Sequence, residues 1–106
     1  MPKYMIHASY TVEGVKGLQS KGGSSRREAI SDMLEGLGGS LECLYFAFGD
    51  ADVVVIADLP DNEAATAVAL TVNAAGGATT QTWPLITPEE VDAAAERSVA
   101  YRPPGS

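Results

Sequence analysis

The sequence is short of the residues from which most catalytic and metal centres are built. Its 106 residues include one cysteine, Cys43, and one histidine, His7. A single cysteine excludes a disulfide within the chain, and one histidine with one cysteine cannot complete a closed zinc site. The phosphate-loop, dinucleotide-binding, paired-cysteine and metalloprotease motifs are all absent. We therefore expect no metal site and no cofactor.

Basic residues and long apolar runs are also scarce. Seven lysines and arginines stand against fourteen aspartates and glutamates, which gives a formal net charge of −7. An acidic surface repels nucleic-acid phosphates and anionic lipids, and the one basic cluster is Arg26 with Arg27. No apolar stretch approaches the length of a membrane span, and the first residues lack a signal-peptide pattern. We expect a cytoplasmic protein that binds neither nucleic acid nor membrane.

What the sequence does contain is an alternation of strand-like and helix-like segments. The length of 106 residues and the hydrophobic share of 45% are those of one folded domain over residues 1–106. The pattern predicts first a strand over residues 3–11, a short turn around Val15 and Leu18, and a helix after Gly22-Gly23. Two strands about a turn at Gly49-Asp50 and a second helix after Pro60 follow. The last elements are a strand over residues 78–83, limited by Pro84, and a C-terminal helix from Thr87.

The two main helices differ in their apolar pattern. In the first, Ser25 and Glu28 have the spacing of a capping box, and a single apolar stripe runs from Ile30 to Leu37. The second, over residues 64–75, is apolar on nearly every side. A helix without a polar face is generally buried on more than one side, and we expect that here.

Three of the predicted strands carry apolar residues on both faces. In the first strand Tyr4 and Ile6 share one face while Met5 and His7 share the other, because strand side chains alternate. Residues 53–56 are apolar without any alternation. In the strand before them, simple alternation places Leu41, Cys43 and Tyr45 on one face. Both faces of the sheet are therefore expected to be covered.

Strand, helix, strand, repeated once, is the layout of a ferredoxin-like α+β fold. It predicts a four-stranded antiparallel sheet in the order βαββαβ, with both main helices on one face and the C-terminal helix added. The other face would be open and apolar, which on so small a protein indicates a partner, most simply a second copy. We expect a homo-oligomer, either a dimer with stacked sheets or a trimer. The alternative is a monomer whose C-terminal helix folds over the open face.

The chain resembles the GYD-domain proteins, a small bacterial family, along nearly its whole length. The segments that carry the resemblance are KYMIHASYTVEGVKGL, GGSSRREAI, LECLYFAFGDADVVVIADLPD and LITPEEVDAAAERSVAYRPPG. The resemblance implies a ferredoxin-like fold of the dimeric α/β-barrel type and no established reaction. The name-giving motif, Gly-x-Tyr-Asp, stands here as Gly49-Asp50-Ala51-Asp52. Ala51 replaces the tyrosine, so a pocket shaped by that ring in relatives would be lined differently here.

Six residues are candidates for a site, each beside a structural alternative. His7 could act as a general base on the open face, although we favour a core or subunit-contact role. Arg27 could bind an anionic ligand, although a surface ion pair is favoured. Asp52 is either a partly buried carboxylate with a raised pKa or a cap of the turn, and the motif favours the turn. Tyr45 and Trp83, with Tyr10, could line a cavity or, as we favour, pack in the core or an interface.

Three functions follow, in order of preference. The first is a non-enzymatic, homo-oligomeric protein that binds a small apolar or anionic ligand or acts as a scaffold. The second is a stable structural assembly without a ligand, in which the alanine-rich helix allows close packing. The third is a cofactor-independent isomerase or oxygenase that uses His7 as its base, with Arg27 or Tyr45 stabilising negative charge; it depends on fold analogy.

Overall fold

The computed structural model describes residues 1–105, which contain four strands and four helices. Ser106, the last residue of the predicted domain, lies outside the described residues. The elements are β1 Lys3–Tyr10, α1 Val12–Lys21, α2 Gly23–Gly36, β2 Ser40–Phe46, β3 Val53–Asp58, α3 Asn62–Ala75, β4 Ala78–Leu85 and α4 Pro88–Ala95. No helix within residues 1–105 is both long and apolar enough to span a bilayer.

The strands form one sheet in the order β2-β3-β1-β4, and every neighbouring pair is antiparallel. This arrangement confirms the predicted ferredoxin-like α+β fold with a C-terminal helix. One face of the sheet carries the core, which α2 and α3 cover with Ile30, Leu34, Ala65 and Val68. The buried strand residues on this covered face are Tyr4, Ile6, Val53, Val55 and Ala57. Each fully buried leucine or valine here contributes about 1.5–3 kcal/mol relative to exposure.

The first half of the chain holds one more helix than the sequence predicts. The segment around Val15 and Leu18 is the helix α1 and not a turn, and the Thr11 side chain caps it by accepting from the Gly14 backbone N–H. Gly14 does not break this helix but lets it pack closely. A Cβ at Gly14 would stand 2.0 Å from the Gly77 carbonyl oxygen, so no larger residue fits without a shift of the backbone.

The predicted capping box at the start of α2 is wrong. The helix begins at Gly23, with Gly22 as its N-cap, and no side chain caps its first N–H groups. Ser25 and Glu28 therefore lie inside the helix. Gly22 has a φ of 86°, a conformation that side chains disfavour, and this single glycine links the end of α1 to the start of α2.

Two strands depart from simple alternation. In β2 a register shift between Leu41 and Cys43 places Leu41 opposite Ala57 and Cys43 opposite Ile56. The two β2 residues therefore lie on opposite faces, and the prediction that they share one is wrong, because a β-bulge reverses the alternation. β4 continues past Pro84 to Leu85, since β4 is an edge strand that can lack one N–H donor.

The alanine-rich helix α3 is buried on one side only. Asp61 caps it by accepting from the Ala64 N–H at 2.9 Å, and Ala65 and Val68 are its buried residues. Leu70 points away from the core and is 68% exposed. The prediction of burial on several sides is wrong, because α1 and α2 do not reach the outer face of α3 within one chain.

The C-terminal segment 86–105 extends away from the domain. Every residue from 88 to 105 is exposed. The chain has a radius of gyration of 17.0 Å and extents of 57 × 33 × 23 Å, against about 13 Å for the radius of a compact domain of about 100 residues. The alternative of a monomer with α4 folded over the open face is therefore wrong. We call residues 86–105 the C-terminal arm.

Candidate functional site

The open face of the sheet is a set of cross-strand rows. One row runs from Tyr45 on β2 through Val54 and His7 to Gln81 on β4. The next row contains Cys43, Ile56, Met5 and Trp83. Directly opposite residues of antiparallel strands share a face, so these eight side chains form one surface. Its centre is apolar, and no helix within residues 1–105 covers it.

Three of the predicted site residues lie on this open face. The His7 and Trp83 rings meet edge to face, with 4.6 Å between their centroids. Tyr45 projects from β2 and is 71% exposed. Within residues 1–105 the His7 imidazole has no side-chain hydrogen-bond partner and therefore no carboxylate to orient it as a base. The structure brings His7 and Trp83 together and leaves Tyr45 one strand further away.

A charged cluster closes one end of the open face. The Lys3 ammonium lies 2.5 Å from Glu42 Oε1 and 3.0 Å from Asp58 Oδ1. The hydrogen bond that Lys3 donates to Glu42, followed by the one it donates to Asp58, raises the pKa of Lys3 above its ordinary value of 10.5. The cluster links β1, β2 and β3 and uses the lysine in full, so it offers no free cation to a ligand.

Asp52 lies at the end of the hairpin loop, where β3 begins. Its carboxylate Oδ2 accepts from the Tyr10 backbone N–H at 2.8 Å, and its own N–H donates to the Ala8 carbonyl at 2.9 Å. Both bonds extend the β1–β3 pairing beyond the last ladder pair, Ala8 with Val53. The acidic residue of the motif thus holds the end of β1, including Tyr10, in place. Ala51 beside it is half-buried.

The two arginines of α2 lie in different surroundings. Arg27 is exposed and borders a shallow groove with Glu28 and Asp32. Arg26 is half-buried on the inner side of the helix, and its Nε atom is buried with no hydrogen-bond partner within residues 1–105. Sequence reasoning selected Arg27 and missed Arg26. The signal was present, since Arg26, Ile30 and Leu34 recur every four residues and form one stripe of the helix.

Arg26 lines a cavity of about 530 Å³ on the helix side of the molecule. The cavity lies between α1, α2, α3 and the start of β4, and Lys21 and Tyr10 are also in its wall. The Tyr10 hydroxyl, like Arg26 Nε, is buried without a partner. A smaller void of about 40 Å³ adjoins it, shares Tyr10 and Arg26, and is otherwise lined mainly by core residues. We call the larger space the helix-side cavity.

The helix-side cavity has the dimensions of a ligand site. Pockets for small molecules commonly span about 300–1,000 Å³ and combine apolar walls with a few convergent polar groups. Buried polar atoms in folded proteins are nearly always hydrogen-bonded, so two unpaired atoms on residues that line one cavity require an explanation. Within residues 1–105 no group of three His, Cys, Asp or Glu side chains is placed to hold a metal ion. The unpaired groups are a cation and a hydroxyl, which suit an anion.

One comparison with known proteins identifies this architecture. A family model described as the GYD domain matches residues 4–95, which is most of the chain from β1 to the end of α4. A comparison with curated proteins found no match. The match includes both the hairpin loop with Asp52 and the helices around the helix-side cavity.

Proposed function

Because the chain belongs to the GYD-domain family, and that membership assigns no reaction, we propose from its structure that it is a homo-oligomeric small-molecule-binding protein. In this proposal subunits associate through the open face of the sheet and the C-terminal arm, and each subunit keeps its helix-side cavity for a ligand. The observation that carries the proposal is the apolar open face, which no part of the chain described by the structure covers.

The open face resembles an interface more than an ordinary surface. Its central row contains Met5, Ile56 and Trp83, with Tyr45 exposed beside them. Monomeric proteins seldom expose contiguous apolar patches of this kind, and aromatic residues and methionine are enriched at interfaces. Apart from His7 and the edge residue Gln81, the polar residues lie at the two ends of the face, with the Lys3 cluster at one end and Ser9 opposite Thr79 at the other. A polar rim around an apolar centre is the usual anatomy of an association surface.

The C-terminal arm supplies a second argument for association. Its helix α4 has eight residues and a complete capping box between Thr87 and Glu90. Isolated helices this short are marginal in water even with good caps, so a stable α4 needs a surface to pack against. Val91 is 55% exposed and Val99 is 80% exposed. Within residues 1–105 both side chains stay largely exposed, so a second copy is the partner that the proposal requires.

A second copy of this chain fits better than an unrelated protein. Every copy carries both an uncovered sheet face and an unpacked arm, so symmetric association satisfies all of them at once. A two-fold arrangement would stack the faces, and a three-fold arrangement would pass each arm to the next subunit. The proposal holds for both, and the subunit count distinguishes them. Ligand binding places no demand on the open face, because the helix-side cavity lies on the opposite side of the sheet.

The test is native mass spectrometry on protein purified without denaturant, at several concentrations. We expect an oligomer for the natural sequence and a monomer for Ile56→Glu, because a charge at the centre of an apolar interface has no partner there. The matched control is Leu70→Glu, which places the same charge on an apolar residue of the outer helix face. We expect it to remain oligomeric. Circular dichroism checks that both variants are folded.

Two results would contradict the proposal. A monomeric mass for the natural sequence at every concentration would remove the argument from the open face. An Ile56→Glu variant that assembles as readily as Leu70→Glu would place the interface elsewhere. The same spectra report extra mass retained by each subunit, which tests the ligand independently of the assembly.

A further inference from the structure

We propose that the helix-side cavity binds an organic carboxylate with an apolar body, and that Arg26 and Tyr10 hold its carboxylate group. This inference builds on the proposed function only in that the protein binds a small molecule; it does not depend on how subunits assemble. It assigns a ligand class and two binding residues.

The charge of the cavity wall is opposite to that of the protein. The chain has fourteen acidic and seven basic residues. The wall of the helix-side cavity contains two of the basic residues, Lys21 and Arg26, and none of the acidic ones. Within residues 1–105 neither cation lies in an ion pair, since the ion pairs found there all belong to Lys3. In a protein this acidic, two free cations in one concave wall favour an anionic ligand.

Two donors buried behind this wall lack an acceptor. Arg26 Nε and the Tyr10 hydroxyl are both inaccessible to solvent, and no described atom accepts from them. A buried donor left without an acceptor costs about 1–3 kcal/mol, and more when it is charged. The Tyr10 backbone is fixed, because its N–H donates to the Asp52 carboxylate. In the proposal, the Arg26 and Tyr10 side chains turn towards an entering carboxylate, whose two oxygens then accept from both donors.

The rest of the cavity is apolar. Leu18, Ala29, Val72 and Ala78 form much of its wall. The adjoining void is lined by core side chains such as Ile30 and Val68, and it shares Arg26 with the larger cavity. An inorganic anion would leave this apolar surface uncovered, whereas an alkyl or aryl carboxylate would bury it.

A carboxylate fits the donors better than a phosphate ester does. One planar guanidinium and one neutral hydroxyl match the two oxygens and single charge of a carboxylate. A phosphate dianion has a third oxygen and a second charge that these two groups would leave unmet. Lys21 lies in the last turn of α1, at the cavity wall. We assign it the role of attracting the ligand and not of fixing the carboxylate.

Isothermal titration calorimetry with sodium octanoate tests the inference on the full-length protein. We expect octanoate to bind one site per subunit, and octan-1-ol and octylamine to bind about tenfold more weakly or not at all. Arg26→Met should weaken octanoate binding about tenfold or more, and Tyr10→Phe about threefold to tenfold. The matched control is Arg27→Met, which removes the neighbouring arginine of the same helix. It should bind octanoate like the natural sequence.

Thermal melting separates loss of the site from loss of the fold. Without ligand we expect Arg26→Met to melt at or above the temperature of the natural protein, because the substitution removes an unsatisfied buried donor. Saturating octanoate should raise the melting temperature of the natural protein and of Arg27→Met but not of Arg26→Met.

Three outcomes would overturn the inference. The assigned residues are ruled out if octanoate fails to bind, or if Arg26→Met binds it as well as Arg27→Met does. Tighter binding of octyl phosphate than of octanoate would replace the carboxylate by a phosphate ester. None of these results affects the measurement of assembly by native mass spectrometry. If the native spectrum shows that the protein retains an uncharged molecule, the proposed binding function is supported but the carboxylate ligand class is contradicted.

Discussion

The two faces of the sheet are made by alternate residues of the same four strands, yet their surroundings differ completely. On β1 and β3 the covered face presents Ile6 and Val55, which pack beneath α2 and α3. The open face presents Met5 and Ile56, which are opposite each other in register and have no layer above them. Apolar side chains of the covered face thus pack against helices of their own chain. In our proposal, the equally apolar side chains of the open face pack against another copy. Apolar strand faces indicate that a cover exists without indicating where it comes from.

The largest expected effect is on the covered face. Leu34 is fully buried between α2 and the sheet. Replacement by alanine should lower the free energy of unfolding by about 2–5 kcal/mol, through lost burial and the cavity left behind. Urea denaturation followed by circular dichroism, at one fixed protein concentration, measures the change. Leu70→Ala is the control, because the side chain is 68% exposed, and we expect a change within about 0.5 kcal/mol.

A small effect of Leu34→Ala on the free energy of unfolding would contradict the contrast between the two faces. It would mean that the interior under α2 is loosely packed and that the covered face resembles the open one. Equal losses for Leu34→Ala and Leu70→Ala would also contradict the assignment, since they would give the outer surface of α3 a cover that one subunit does not contain.

The fold was predictable because its signals are local. Alternation along β1, the turn at Gly49-Asp50, the stripe from Ile30 to Leu37 and the Thr87 cap each depend on a few adjacent residues. The errors arose where a local signal had two meanings. The segment around Val15 and Leu18 was predicted as a short turn, but it is the helix α1, in which Gly14 allows the close approach to Gly77. The bulge in β2 adds one residue, and it leaves no mark in the composition.

The helix-side cavity was not predictable in the same way. Its wall brings together Tyr10, Arg26 and Val72, which come from a strand and two separate helices. Nothing within any one segment shows that the other two face it. Sequence reasoning noticed the arginine pair and the aromatic residues but selected the exposed Arg27 and the open-face Tyr45 as ligand contacts. The stripe of α2 was counted only over its apolar residues, from Ile30 to Leu37, so Arg26, which lies one turn before Ile30 on the same side, was left out of it.

A middle-sized effect is expected at the edge where the two faces meet. Asp52 accepts a charge-assisted hydrogen bond from the Tyr10 backbone N–H at 2.8 Å. Asp52→Ala removes the acceptor and should lower the free energy of unfolding by about 1.5–3 kcal/mol. Asp52→Asn keeps an oxygen acceptor and should lose less. Asp50→Ala, an exposed change in the same loop, is the control for loop effects. The readout is again the urea midpoint at fixed concentration.

The same variants test whether the motif residue Asp52 affects ligand binding in the helix-side cavity. Because Asp52 holds the Tyr10 backbone, Asp52→Ala should also weaken octanoate binding, whereas Asp50→Ala should leave it unchanged. If Asp52→Ala lost stability while octanoate affinity stayed constant, the position of Tyr10 would not depend on this bond.

The smallest expected effect concerns the charged end of the open face. Lys3 is half-exposed, and its hydrogen bonds to Glu42 and Asp58 raise its pKa above the ordinary 10.5. The folded state therefore favours the charged lysine more than the unfolded state does. That preference stabilises the fold in full below the unfolded pKa and is lost as the pH rises through the higher folded pKa. Exposed ion pairs contribute little, so the change should be small.

Comparison with Lys3→Met isolates this contribution from the other groups that titrate in alkali. We expect the urea midpoint of the natural protein to exceed that of Lys3→Met at about pH 8 and the difference to shrink towards about pH 12. Lys16→Met removes a lysine that has no ion pair within residues 1–105, and its difference should not vary with pH. A pH-independent difference for Lys3→Met would mean that the lysine stabilises the open face through its alkyl chain and not through its charge. In that case the alkyl chain of Lys3 would belong to the apolar surface of the open face. The open face would then lack a purely polar rim at this end and would resemble the covered face more closely.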